Sequence, residues 1–420
     1  MKRDIIPFLC RLKLNLPFSR RLSSDSSLKL KQTQALNEEN VPQERPKRKQ
    51  KLYQNLYNWN NDIDLVKLLA SNIIYKKCGL IAISKPWGVG VNQGETLFRS
   101  NHPGYSEQLL NDQTFGECRT SVRDVLDLLG QYLNIPELHI IKALDRKWSG
   151  ILLLSDQESQ KQFVEKSCRK AKADKLPYMR FLCIVNGIIP SAQLNRTYQE
   201  RCGVRLIEID ELGDCREPVY VSPDEMTKNV RKKGLQFNQY RLGPIKSATV
   251  EYRVLAQNTN LSVSLIELGT TTTKWSFIQC FLAYKASFVL GDTYLSYRVN
   301  HILGQPITLQ SLRQKSIKNL PRIDQKFEPL SEPVRKALNV RSNREIPLMI
   351  HHHHLTLPLF LRYTNLKRDI LRDQRLLKNG SKMMTQNDSN FDDLIIEDNL
   401  GKLPEYFFNT LERLNLNVFR

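Results

Sequence analysis

The chain has 420 residues, 40% of them hydrophobic, and a formal net charge of +20 from 63 Lys and Arg against 43 Asp and Glu. That length permits a sizeable core, and no stretch approaches the roughly 18 unbroken apolar residues that cross a bilayer, so no membrane insertion is expected. The basic surplus is spread along the whole chain and favours a polyanionic partner such as nucleic acid, because each phosphate neutralised releases counterions.

Eight cysteines, Cys10, Cys78, Cys118, Cys168, Cys183, Cys202, Cys215 and Cys280, contain no CxxC pair. They read as scattered thiols of a reducing compartment rather than a disulfide scaffold or a zinc site, and no metal is expected.

In chain order, residues 1–24 combine Lys2, Arg3, Arg11, Lys13, Arg20 and Arg21 with apolar residues and a single acid, Asp4, which suits a mitochondrial transit peptide processed just after Arg20-Arg21. Residues 25–60 form a basic linker containing PKRKQK, a string that also resembles a nuclear signal.

Folded structure is expected from residue 61 to 308. DIDLVKLLASNII has helical spacing from Asp62, Leu80–Ser84 reads as a strand running into a Pro/Gly loop, and Ser121 is placed to cap a helix ending near Gly130. Ile151–Leu154 reads as a strand, Gln157–Lys172 as a helix, Met179–Val185 and residues 201–211 as strands. ATVEYRVLA and LSVSLIELG read as paired strands, and Thr272–Lys285 as a helix packed on them. Intermixed helices and strands of this kind predict an α+β fold with a mixed, largely antiparallel sheet and flanking helices. There is no GxGxxG and no GxxxxGK[ST], so neither nucleotide fingerprint is present.

Residues 309–346 read as a basic connecting segment, and 347–420 as a C-terminal extension with a strand in PLMIHHHHLTLPLFL and a docked helix in LPEYFFNTLERLNL; the charged stretch 362–400 is expected to be partly mobile. The run His351-His352-His353-His354 alternates across a strand, which suits packing far better than metal binding.

Asp145 lies in a polar turn between two apolar runs, a position from which a rigid scaffold can present a carboxylate; equally, such an aspartate commonly caps its own turn. Read together, the local strings resemble the RluA family of RNA pseudouridine synthases. Lys85-Pro86-Trp87-Gly88 follows the strand IAIS, as the family's Lys-Pro-x-Gly does. Lys142-Ala143-Leu144-Asp145-Arg146-Lys147-Trp148-Ser149-Gly150, followed by ILLLS, stands where the family carries His-Arg-Leu-Asp, two variable residues, Thr-Ser-Gly and a strand. Phe181 to Gly187 corresponds to Tyr-x-Ala-x-Val-x-Gly, and Thr273 to Gln279 with Gly291-Asp292-Thr293-Tyr294 corresponds to the family's later helix and its end. The resemblance covers roughly residues 65–300 in order.

The resemblance implies isomerisation of uridine in RNA without metal or cofactor, with Asp145 as the catalytic carboxylate, Phe181 stacked on a flipped base, and Lys85, Lys142, Arg146, Lys274 and Gln279 around the substrate. The family's Arg before Leu-Asp is Ala143 here, and the Arg that pairs with the aspartate is Gln279. A carboxylate in a closed pocket needs an opposite charge to stay ionised, so a basic group among Lys274, Arg146 and Lys142 is expected to pair with Asp145. The implied partners are mitochondrial ribosomal or messenger RNA in the matrix, with RNA-processing or ribosome-assembly proteins. The alternative is an RNA-binding protein of the same fold that has lost the chemistry, working in ribosome assembly or RNA metabolism.

Overall fold

The computed structural model describes residues 52–416 apart from positions 55, 58, 78, 93–114, 116–119, 190–191, 209–215, 227–244, 303–304, 309–327 and 365–391. The expected transit segment, most of the basic linker and much of the two C-terminal charged stretches lie outside the described residues.

Helix α1 (Asp62–Ser71) begins where the side chain of Asn61 accepts the backbone N–H of Asp64, and it buries Leu65, Val66 and Leu69. Its C-cap, Asn72, stops the helix before the apolar pair Ile73-Ile74, which enters strand β1 (Ile73–Lys77) rather than extending the helix as the spacing suggested. Strand β2 (Leu80–Lys85) follows. The next helix, α2 (Leu126–Leu133), starts five residues beyond Ser121, because Ser121 is held in a turn by bonds from its N–H and Oγ to Asp124 Oδ2. It runs past Gly130 to a left-handed Asn134.

Strands β3 (His139–Lys142) and β4 (Ser149–Ser155) flank the Asp145 turn, and α3 (Gln160–Ala173) leads to β5 (Met179–Asn186). Then come β6 (Thr197–Glu208), β7 (Arg216–Val221), β8 (Lys246–Asn258) and β9 (Val263–Thr270), before α4 (Phe277–Tyr284). Short strands β10 (Phe288–Val289), β11 (Val299–Ile302) and β12 (Gln305–Thr308) precede α5 (Glu332–Leu338). The chain closes with β13 (Ile350–Leu357), α6 (Phe360–Tyr363), β14 (Leu394–Glu397) and α7 (Glu405–Arg413). Strand β14 lies in the charged stretch 362–400, where alternate burial of Leu394 and Ile396 gives it a core face.

Among the described residues, twelve of the strands form one sheet whose main path is β1-β2-β4-β13-β5-β9-β8-β6-β7, and β11 and β12 pair separately. Pairing is antiparallel everywhere along this path except between β13 and β4. The expected mixed, largely antiparallel sheet with flanking helices is therefore the observed fold.

The late strand β13 lies inside the sheet, between β4, which follows the Asp145 turn, and β5, which carries Phe181. Its close approach to β4 requires Gly150, where φ is +108° and a Cβ would collide with the backbone of His352. On one side of the sheet Ile81, Ile83, Leu152 and Leu154 pack against α1 and α2, while Leu80, Ala82, Ile151 and Leu153 join the larger core. Both faces of β2 and β4 are thus covered, and the turn between β3 and β4 emerges from a rigid platform.

Candidate active site

Two loops meet at Asp145. Gly88 donates its N–H to Arg146 O at 2.9 Å, and Arg146 returns Nε–H to Gly88 O at 2.8 Å. Lys85, fully buried, donates from Nζ to Val89 O at 2.9 Å, Pro86 O at 3.1 Å and Arg146 O at 3.4 Å. The ammonium thus fastens the Pro86–Val89 loop to the Asp145–Arg146 turn. Lys85 was expected to contact substrate; its burial among carbonyls instead makes it part of the frame, since a buried ammonium must spend its donors.

Asp145 itself is exposed. Its Oδ1 accepts the backbone N–H of Lys147 at 2.9 Å and its carbonyl accepts that of Trp148 at 3.1 Å, so the residue caps its own turn and is held in place by it. No bond to Oδ2 forms among the described residues.

The expected ion pair is not present: among the described residues no Lys or Arg nitrogen pairs with Asp145. Lys142 turns toward Tyr178, with Nζ 5.8 Å from the ring centroid. Arg146 directs Nε to Gly88, and Lys274 stands exposed in a 3-10 turn. The physical reason is that an exposed carboxylate keeps its hydration and needs no buried counter-charge. Burial lowers the Lys142 ammonium, further lowered by Lys172, with Cys168 acting in the opposite sense.

Phe181 is 1% exposed, its ring stacked on His352 at 4.7 Å and meeting Trp148 edge-on at 5.3 Å. The ring is core, and a base reaches it only when one of those neighbours moves. Gln279, in the first turn of α4, is half-buried with an Oε1 that finds no hydrogen-bond donor among the described residues. Just before it, Trp275 (φ 57°) and Ser276 (φ 52°) are both left-handed, a strained entry that costs about 1 kcal/mol or more per residue. This strain replaces the first turn of the longer helix expected over Thr272–Lys285.

Sequence reasoning missed a buried polar relay behind the turn. His351 Nδ1 lies 3.0 Å from Ser149 Oγ, and Ser149 Oγ lies 2.8 Å from Tyr406 OH. On its other side His351 Nε2 is 3.3 Å from Asp398 Oδ2, a contact too bent to be a straight hydrogen bond, and Asp398 Oδ2 also accepts the hydroxyl of Ser84. The carboxylate favours a proton on Nε2, leaving Nδ1 to accept from Ser149 and Ser149 to accept from Tyr406. Burial holds the His351 imidazole below its ordinary value, against the opposing pull of Asp398. The relay joins β2, β4, β13 and α7, and no spacing in the sequence connects those four segments.

The other histidines also pack, as their alternation suggested. His352 donates Nδ1–H to Ile151 O at 3.2 Å, His353 lies 3.2 Å from Glu267, and His354 lies 3.0 Å from Glu397. Among the described residues no group of His, Cys, Asp and Glu could hold a metal ion, and no helix is long and apolar enough to cross a membrane.

A carboxylate exposed in a clasped strand–turn–strand of a mixed sheet defines a class of site suited to chemistry on a bound substrate. No family model matches the chain. It is 24% identical over 300 residues to the human mitochondrial mRNA pseudouridine synthase RPUSD3, covering 70% of each. Among solved structures, human RNA pseudouridylate synthase domain containing 4 covers 85% of this chain and 97% of its own, with 18% identity and a TM-score of 0.49. Human RNA pseudouridylate synthase domain containing 1 covers 80% and 94%, with 13% identity and a TM-score of 0.35. The 24% identity to RPUSD3 is a similarity of sequence over 300 residues, and it accompanies the resemblance of the ordered landmarks.

Proposed function

We propose that the chain isomerises uridine to pseudouridine in RNA, with Asp145 as the reacting carboxylate. The observation that carries this reading is the Asp145 turn: an exposed carboxylate, fixed by Lys147 N–H and by the clasp from Lys85 and Gly88, at the position where the RluA signature has its aspartate. Fixing a reacting group before substrate arrives removes an orientational cost from the barrier.

Asp145 carries the nucleophilic or glycal-forming step that breaks the bond from ribose C1′ to base N1. The freed base turns, C5 bonds to C1′, and the proton lost from C5 is balanced by one gained at N1. Gln279 Oε1, lacking a donor among the described residues, is suited to accept the uracil N3–H, and Lys274 and Arg146 are suited to the flanking phosphates.

The RNA is mitochondrial, ribosomal or messenger, in the matrix. The basic N-terminal segment and the mitochondrial name of the relative support this. Ribosome-assembly or RNA-processing proteins are the accompanying partners.

The second reading, RNA binding without chemistry, is favoured by the covered ring of Phe181 and the uncharged Gln279. Transcript-wide pseudouridine mapping in cells carrying Asp145→Ala, beside cells lacking the protein, separates the two. Loss of the same sites in both lines supports isomerisation. Intact sites in the Asp145→Ala line, with a growth defect only in the deletion, establish the binding role.

A further inference from the structure

Helix α3 buries Gln160, Val164, Ser167 and Ala171, and leaves Lys161, Lys166, Arg169, Lys170 and Lys172 exposed, with Lys175 just beyond its end. Two of these cations are occupied. Lys170 pairs with Asp174 at 2.8 Å and Lys166 sits 4.1 Å from the ring centroid of Tyr363. Arg169, Lys172 and Lys175 pair with no acid among the described residues.

Arg169 and Lys172 are three apart and therefore neighbours on one flank of the helix. The helix packs against β3, on which the Nζ of Lys142 lies 5.8 Å from the ring of Tyr178, the residue that leads into β5. Lys142 stands three positions before Asp145. Four cations thus run from the end of α3 to the edge of the candidate site; the exposed acids of this stretch are Glu165 and Asp174, the latter taken up by Lys170, so positive charge prevails and favours a polyanion.

We propose that Arg169, Lys172 and Lys175, continued by Lys142, form a docking track for the phosphates of the RNA strand that presents its uridine to Asp145. An anionic membrane would need apolar residues on the same exposed face, and α3 turns its apolar residues inward; beside the track only Leu176, 38% exposed, is apolar and open. The inference rests on the RNA reading above and adds to it the surface that sets the direction of the strand.

The test uses the full chain and a short mixed-sequence stem-loop RNA, with affinity measured by fluorescence anisotropy over a salt series. The variant Arg169→Glu/Lys172→Glu/Lys175→Glu should bind about tenfold or more weakly, with a salt slope shallower by about 2. A control with the same charge change on the exposed β1 side, Lys67→Glu/Lys76→Glu/Lys77→Glu, should keep the wild-type slope. The single change Lys172→Gln, which leaves the fold untouched, should reduce the slope by about 0.7.

Unchanged affinity and slope in the triple variant overturn the track, and so does an equal loss in the control, which would mean a diffuse field. A loss of binding to phosphatidylserine vesicles with RNA affinity intact also overturns it, in favour of a membrane. Slope changes as expected, in a wild-type protein that produces no pseudouridine, support the track and count only against the isomerisation reading.

Discussion

His351 Nδ1 and Ser149 Oγ lie 3.0 Å apart, so a strand from the last fifth of the chain is bonded to the residue four positions after Asp145. The bond is one link in a buried relay reaching Tyr406 and Asp398. Removing the imidazole in His351→Ala leaves a cavity together with unpaired groups on Ser149 and Asp398, and should destabilise the protein by about 2–4 kcal/mol in urea unfolding. Tyr406→Phe removes one donor and keeps the ring, so it should cost about 1 kcal/mol. A His351→Ala protein within about 0.5 kcal/mol of wild type would show the relay to be idle.

Lys85→Met should lower stability by about 3 kcal/mol in the absence of RNA, because Pro86 O and Val89 O lose the ammonium donor and Arg146 O keeps only the N–H of Gly88. Lys274→Ala, at an exposed site, should change stability by less than about 0.5 kcal/mol. If Lys85→Met melts like wild type and loses only RNA affinity, Lys85 contacts the substrate instead of holding the loop.

Phe181→Ala should cost about 3–5 kcal/mol, the value for an aromatic removed from a core, and Phe181→Leu less than about 1.5 kcal/mol beyond its lost area. Thermal unfolding decides this. A Phe181→Ala variant of normal stability and weakened RNA binding would identify the ring as an open platform for a base.

Burial holds His351, His352 and His354 below the ordinary histidine value of 6.5, and His352 well below it. Below about pH 6.5 the unfolded chain takes up protons that the folded chain refuses, so the unfolded state binds more protons and stability rises with pH across that range. Unfolding free energy should therefore be lower at pH 5.5 than at pH 7.5, and His352→Gln should reduce the difference. Burial raises the carboxyl of Glu267, but His353, Arg253 and Arg180 outweigh it and bring it down to about 2. Its contribution is lost only as pH falls from about 4.5 toward 2, outside the window of the measurement. Equal stability at the two pH values would contradict the neutral packing of these histidines.

The fold was legible wherever period and chain neighbours agree. Strands β4, β5, β8 and β9 have apolar runs of strand length, and α3 has its buried residues at helical spacing. The entry to α4 was misread because nothing in Lys274-Trp275-Ser276 signals a left-handed turn, a conformation that bulky residues adopt only when tertiary packing imposes it. The position of Asp145 was legible from its landmarks, while its exposure was not: burial of a turn depends on the loops around it, and the Lys85 clasp raises this one above the sheet without covering it. The relay was illegible for a related reason. Ser84, Ser149, His351, Asp398 and Tyr406 are brought together only by the insertion of β13 between β4 and β5.

The central claim is that Asp145 reacts with a uridine of RNA, and release of tritium from RNA labelled at uridine C5 tests it most directly, since forming the bond from C5 to ribose C1′ displaces the hydrogen at C5. Wild-type protein incubated with labelled mitochondrial RNA should release tritium to water, and Asp145→Ala, whose side chain is exposed and whose stability should stay within about 1 kcal/mol of wild type, should release none. Release that persists in folded Asp145→Ala, or its absence from folded wild-type protein across the whole mitochondrial RNA pool, would contradict the claim.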